Sequence, residues 1–281
     1  MITLDNTKLE KLTTSFQIPT KPEILTELNS SIRQTDADIA HVANIISKDV
    51  GLSSSILKAI NSPAYGLNRQ ISEIEQATVF LGLKTIETIA TTIKLKESIK
   101  GKSCISLERF WDDALDVAEA MRFVGERVKH KVSKDSLYTL GLFHDCGIPL
   151  MSIRYDDYRS TLIEANQQRI SLPKLEMKKY NTSHAVIGYF VAVSWNLPKD
   201  ICNIILRHHD PRFLTTITDS PEQVAYSVLK VAENIVNKSK RFNVISDWSL
   251  VDGSVLDVLS LSECDYNDLE EDYASLIGSR L

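Results

Sequence analysis

Two adjacent pairs of side chains carry most of the chemistry in this sequence: His144-Asp145 within GLFHDCG and His208-His209 within LRHHD. Imidazoles and carboxylates ligate divalent ions such as Fe, Mn, Ni, Zn or Mg, and they also serve as acids, bases and hydrogen-bond partners. Six histidines serve 281 residues, and His184 adds a third position between the two pairs. Each pair closes a strongly helical apolar pattern, so these polar groups are carried toward a core where they need partners. One or two divalent ions would supply them. So would a buried histidine–carboxylate hydrogen-bond network that holds helices in register.

The elements that must position these residues read as helices. One runs from about 107 to 130, with Phe110, Ala114, Val117, Met121, Val124 and Val128 on its apolar stripe and Asp113 on the same face. A second, near 134–145, carries Leu137, Leu140 and Gly141, with His144 four residues after Leu140. A third begins at SHAVIGYF, where His184, Ile187, Gly188, Val191 and Trp195 follow helical spacing. After NLPKD, with Pro198 suited to a first turn, Ile201, Ile204, Ile205 and His208 repeat the series, and His209 lies four after Ile205. A fifth, about 221–238, buries Ala225, Val228, Leu229, Ala232 and Val236, with Glu233 at the edge of the stripe. Asp113, His144, Asp145, His184, His208, His209 and Glu233 are therefore expected to converge on one interior pocket.

The first hundred residues also read as short helices. One begins around Ile24, Leu25 and Leu28, and Thr35-Asp36-Ala37-Asp38 resembles a capping box that opens the next. Others follow near 52–60, 73–81 and 84–98, with NSPAYG and Gly82 as breaks. Alternation of the β type is almost absent, so the expected fold is all-α. The expected division is a helical bundle over 1–100, a core over 101–240 that begins after the GKSC step, and a helical extension over 241–281.

Composition narrows the function classes. A net charge of -5 and scattered Lys and Arg disfavour direct nucleic-acid binding. The four cysteines are far apart and form no CxxC, which fits a reducing compartment. No apolar run reaches the ~20 residues that span a bilayer, and the amino terminus carries no signal-peptide pattern. The expectation is a cytoplasmic protein with no membrane association.

These residues carry a family resemblance. Helix-HD, then His, then HH, then an acid is similar to the HD superfamily of metal-dependent phosphohydrolases. LKAINSPAYGLNRQISEIEQATVFLGLKTI and SHAVIGYFVAVSWNLPKDICNIILRHHD closely resemble HDOD domains, a bacterial signalling branch of that superfamily, over about Pro19 to Asn237. The resemblance implies that His144 and Asp145 are the HD pair, whose Asp can bridge metals. It also implies that His184, His208 and His209 match three further histidines of the branch that hydrolyses cyclic dinucleotides. Asp113, after Phe110-Trp111, stands where the superfamily's first-helix histidine is usual, and Glu233 in VAENIV stands for the final Asp.

The segment after HD departs further. HDCGIPLMSI has neither the Lys-containing stretch nor the GYP signature of those phosphodiesterases. The resemblance thus implies a regulatory module with a metal-binding pocket, no or vestigial hydrolase activity, a signalling protein as partner and a nucleotide as a possible ligand. The alternative it implies is a metal-dependent phosphohydrolase acting on a nucleotide-type substrate.

Overall fold

The computed structural model describes residues 15–62, 67, 69–128, 132–168, 170–216 and 220–278. All regular secondary structure among them is helical, as the periodicity predicts. The chain divides into two compact units. One spans Thr20–Lys100, and the other joins the described residues up to Pro19 to those from Gly101 onward. The segment after 240 thus belongs to the same unit as 101–240 and forms no unit of its own.

In the Thr20–Lys100 unit, α1 (Glu23–Ile32), α2 (Ile39–Ser47), α3 (Val50–Ile60), α4 (Ile74–Leu81) and α5 (Leu83–Ser98) share a core. Leu25, Leu28, Val42, Ile45, Ile46, Leu52, Ile56, Ile60, Ile86 and Leu95 are buried in it. Asp38 alone caps α2, its carboxylate accepting from the Ala40 amide, because position 41 is His and cannot complete a capping box. Asp49 caps α3 in the same way, by accepting from the Leu52 amide. Gly82, at φ +78, makes the sharp step between α4 and α5 that a residue with a Cβ would resist. The PAYG part of the expected turn after α3 lies outside the described residues.

The second unit contains α6 (Leu107–Arg127), α7 (Lys134–Phe143), α8 (Gly147–Arg154), α9 (Tyr158–Gln168), α10 (Leu172–Tyr180), α11 (His184–Ser194), α12 (Lys199–Arg207), α13 (Phe213–Thr216), α14 (Pro221–Arg241), α15 (Trp248–Leu259) and α16 (Glu263–Gly278). Ser106, Ser133, Ser183 and Ser220 cap α6, α7, α11 and α14 by accepting from amides of the first turn. Two glycines permit the approaches that build the site. A Cβ on Gly141 of α7 would lie 2.7 Å from the Ala118 Cα of α6. One on Gly147 would lie 2.0 Å from the His184 carbonyl oxygen, so only glycine lets the start of α8 rest on the first turn of α11. Helix α14 packs against α6 and α15, and its middle is buried nearly all round, from Tyr226 to Ala232. The helices α8, α9 and α10 fill a stretch to which the apolar pattern assigns nothing.

Candidate metal centre

Asp145 sits in the turn between α7 and α8, and three imidazoles close around it. Its Oδ1 lies 3.3 Å from His184 Nε2 and 3.2 Å from His208 Nε2, and its Oδ2 lies 3.4 Å from His144 Nε2. His144 and His208 occupy equivalent places, each immediately after the last residue of a helix. Each donates from Nδ1 to the carbonyl three residues earlier, His144 to Gly141 at 2.6 Å and His208 to Ile205 at 2.8 Å. His184 is the first residue of α11, and its Nδ1 is 2.8 Å from Glu176 Oε2.

A carbonyl can only accept, and so can an ionised carboxylate. All three Nδ1 atoms therefore carry their hydrogen, and a neutral ring presents a lone pair at Nε2. All three Nε2 atoms face the oxygens of Asp145, so each contact needs either a proton or a metal ion between the two atoms. His184 is completely buried, and among the described residues its Nε2 has no hydrogen-bond partner. A divalent ion is the partner this donor set fits, with Nδ1 held from behind as metal-bound histidines usually are. Ligand atoms of Asp145, His184, His208 and His209 all lie within 4.8 Å of one another.

Without a metal ion, protons take that place. Burial opposes charge on His144, yet Asp145 and Glu233 beside it push its pKa up to about 9. Burial likewise opposes charge on His184, but Glu176 and Asp145 outweigh it and raise its pKa. Burial dominates at His208, and at His209 it is reinforced by His208 and Lys230, so both are lowered, His209 strongly. Despite its own burial, Asp145 stays well below the usual carboxylate range because His144 and His208 face it. Without a metal, the proton belongs on His144 and His184 before the other two. Burial and Asp145 raise the Cys146 thiol, which keeps it neutral and leaves it a bystander.

Several residues outside the sequence pattern belong to the site. Glu176, with no exposed surface, accepts from the amide of His184 at 3.1 Å, from His184 Nδ1, and from the Tyr158 hydroxyl. Burial and Glu176 hold the Tyr158 hydroxyl well above its usual pKa, so it remains a donor. Lys230, also fully buried, reaches Glu233 Oε2 and Asp247 Oδ2, each at 2.9 Å. Asp247 Oδ2 is 3.6 Å from His209 Nδ1. Asn234 brings Asp247 back to this point by accepting from the amide of Ile245 at 2.9 Å, while its amide group donates to Tyr266. The only sequence signal for Glu176 was its position eight residues before His184, in a charged stretch that reads as solvated.

Of the seven expected residues, six surround the centre, although Glu233 stands at its margin, with Oε1 3.7 Å from His144 Nε2. Asp113 stands apart from the imidazole cluster but lines the same cavity as His144, Asp145 and Glu233. The observed buried stripe of α6 is Trp111, Ala114, Val117, Ala118, Met121 and Val124, which leaves Asp113 one step round on a half-exposed flank. There the end of α14 passes alongside. Lys240 Nζ lies 2.8 Å from Asp113 Oδ1, and Arg241 pairs with Oδ2.

A cavity of about 590 Å³ opens on one side of the centre, with His144, Asp145 and Glu233 in its wall. Arg109, Arg159 and Arg241 also line it, cations that lie far from the HD and HH pairs in sequence. The basic residues near the HH pair are engaged elsewhere: Arg207 and Arg212 both pair with Asp210.

Residues 18–211 match the HDOD domain family. The chain belongs to that family. The solved structures share the fold of this HDOD chain at low identity. An HDOD domain protein of unknown function from Geobacter sulfurreducens is 23% identical, with a TM-score of 0.71 and 96% of both chains covered. A Shewanella amazonensis protein provisionally named a phosphohydrolase is 19% identical, with a TM-score of 0.72 over 94% of this chain and 93% of that one. A Marinobacter aquaeolei protein provisionally named a signal transduction protein is 14% identical, with a TM-score of 0.75 over 95% of this chain and 58% of that one. An uncharacterized protein of Treponema pallidum is 25% identical over 69% of this chain, and the match takes up 38% of that relative's own length. The family match ends at 211, so Lys230, Glu233 and Asp247 lie beyond it. No helix among the described residues is long and apolar enough to cross a membrane.

Proposed function

We propose that this HDOD chain is a regulatory module of bacterial signal transduction, working in the cytoplasm. Its HD-like centre binds a divalent metal ion, and its output passes to a protein partner without hydrolytic turnover. The observation that carries the metal reading is the cluster of ligand atoms of Asp145, His184, His208 and His209, all within 4.8 Å of one another, with His184 and His208 held through Nδ1 by acceptors behind them. Asp145, His184, His208 and His209 would hold the ion. The regulatory reading is supported by the segment after the HD pair. Where the hydrolytic branch places its substrate signature, this chain runs directly into α8, with Pro149, Leu150 and Met151 packed in the core.

One observation favours a second reading, a phosphohydrolase acting on a nucleotide-type substrate. The cavity joins Arg109 and Arg159, beside the Arg241–Asp113 pair, to His144 and Asp145, so an anionic small molecule would lie against the centre. A bound divalent ion supplies Lewis acidity toward a phosphoryl oxygen. The same cavity serves a regulatory module equally well as the seat of a nucleotide signal, with no chemistry performed on it.

The deciding experiment is metal analysis of protein purified without a metal-affinity tag, paired with thermal melts before and after chelation. The proposal expects a transition metal that co-elutes with the chain, and a melting temperature that falls on chelation. Less than about a tenth of an equivalent, with an unchanged melt, would leave only the hydrogen-bonded core. Turnover of a generic phosphodiester that is lost in both His144→Ala and Asp145→Ala would replace the regulatory reading by the hydrolase.

A further inference from the structure

The centre has a second flank in which a cation is already present. Lys230 lies on α14 with no exposed surface, and its ammonium stands between Glu233 Oε2 and Asp247 Oδ2, 2.9 Å from each. The outer neighbours of these carboxylates are imidazoles of the centre. Glu233 Oε1 is 3.7 Å from His144 Nε2, and Asp247 Oδ2 is 3.6 Å from His209 Nδ1. Two largely covered carboxylates flanked by imidazoles make a donor set that would otherwise suit a divalent ion. We propose that Lys230 occupies the place of a second metal ion, so that the centre accepts a single divalent cation, at Asp145, His184, His208 and His209. The inference rests on the metal reading above and deepens it.

Three physical points carry it. A buried ammonium is tolerated only where opposite charges compensate it, and Glu233 and Asp247 are the two that do so. A divalent ion placed between those carboxylates would meet the ammonium at contact distance, where the fully buried lysine leaves little room for water to screen the repulsion. The side chain has no exposed surface through which to swing out and make room. The lysine is also braced. Asn234 and the segment through Ile245 hold Asp247 in position, and the Tyr226 ring lies 5.9 Å from the ammonium. On the opposite flank, among Asp145 and the imidazole Nε2 atoms, the described residues supply no lysine or arginine to the Asp145 carboxylate. That flank is where the one ion belongs.

The test is a count of bound metal by native mass spectrometry, with the full chain titrated with Mn2+. Wild type is expected to saturate at one ion per chain, and two would overturn the inference while leaving the metal reading intact. No Mn2+ at all would overturn both. Lys230→Met keeps the aliphatic stem and removes the charge, and Lys230→Gln does so with a shorter side chain. Each, purified in the presence of Mn2+, is expected to bind two ions. Folded variants that both remain at one would overturn the inference. If neither variant folds, the wild-type count decides by itself.

Discussion

The two flanks of the centre are built from similar residues and differ in electrostatic completeness. Around Asp145, three Nε2 atoms lie within 3.2–3.4 Å of a carboxylate, and among the described residues the only positive charge available there is a proton on an imidazole, which a metal ion can displace. Around Lys230, two carboxylates already share an ammonium. The same donor types therefore make an ion site in one place and a closed ion cluster in the other. What separates them is whether the chain itself contributes the cation. Counting histidines and carboxylates along a sequence cannot register that difference.

Four measurements test this contrast. The largest effect is expected at the closed flank. Lys230→Met leaves Glu233 and Asp247 buried without their cation and should cost about 3–5 kcal/mol in metal-free urea denaturation, with partial recovery when Mn2+ is added. A loss under about 1 kcal/mol would mean that water, and not the ammonium, compensates the pair.

Next comes the support behind the open flank. Glu176→Gln removes the carboxylate that fixes the His184 tautomer, and metal affinity should fall about 10- to 100-fold in a competition titration. Unchanged affinity would reduce Glu176 to a packing role beside Tyr158.

The third measurement is the pH dependence of the metal-stripped protein. The His144 pKa is raised to about 9 in the fold, above its ordinary value near 6.5. Its charge therefore stabilises the fold fully below about pH 6.5, and that contribution is lost as pH rises through 9. Wild type should lose stability between pH 7 and 10 more steeply than His144→Asn, and the metal-loaded protein should show a flatter profile. Parallel curves for wild type and variant would place the proton elsewhere. The smallest effect is expected at Asp113, whose partners Lys240 and Arg241 are partly exposed. Asp113→Asn should shift stability by less than about 1 kcal/mol and leave the metal content unchanged.

Helices that pack one face were legible in the sequence, because an apolar stripe repeats at helical spacing wherever one side faces solvent. This was enough to align His184 with Ile187 and Val191, and His208 with Ile204 and Ile205. The same logic set Asp113 among the ligands, whereas at the margin of the stripe it reaches only the cavity wall and pairs there with Lys240 and Arg241. It also missed Lys230 and Asn234. Helix α14 is covered on several sides, so residues on its apparent polar face are buried, and a stripe of five apolar positions understates what the helix touches. The stretch from 147 to 180 shows weak periodicity, and with it went Tyr158 and Glu176, which act on the centre from behind His184.

Residue order along the chain was enough to indicate the helical class, the family, and the convergence of the HD pair, His184 and the HH pair. The class and the facing of these residues rest on short-range spacing that local helix geometry turns into direction, and the family rests on the resemblance of its motif segments. Only the tertiary structure decided which carboxylates meet which cations. Asp113 goes to Lys240 and Arg241, Glu233 and Asp247 go to Lys230, and Asp145 is left facing three imidazoles. Those pairings depend on how helices far apart in the chain pass one another, and in a buried site the nearest charge outweighs every preference written along the chain.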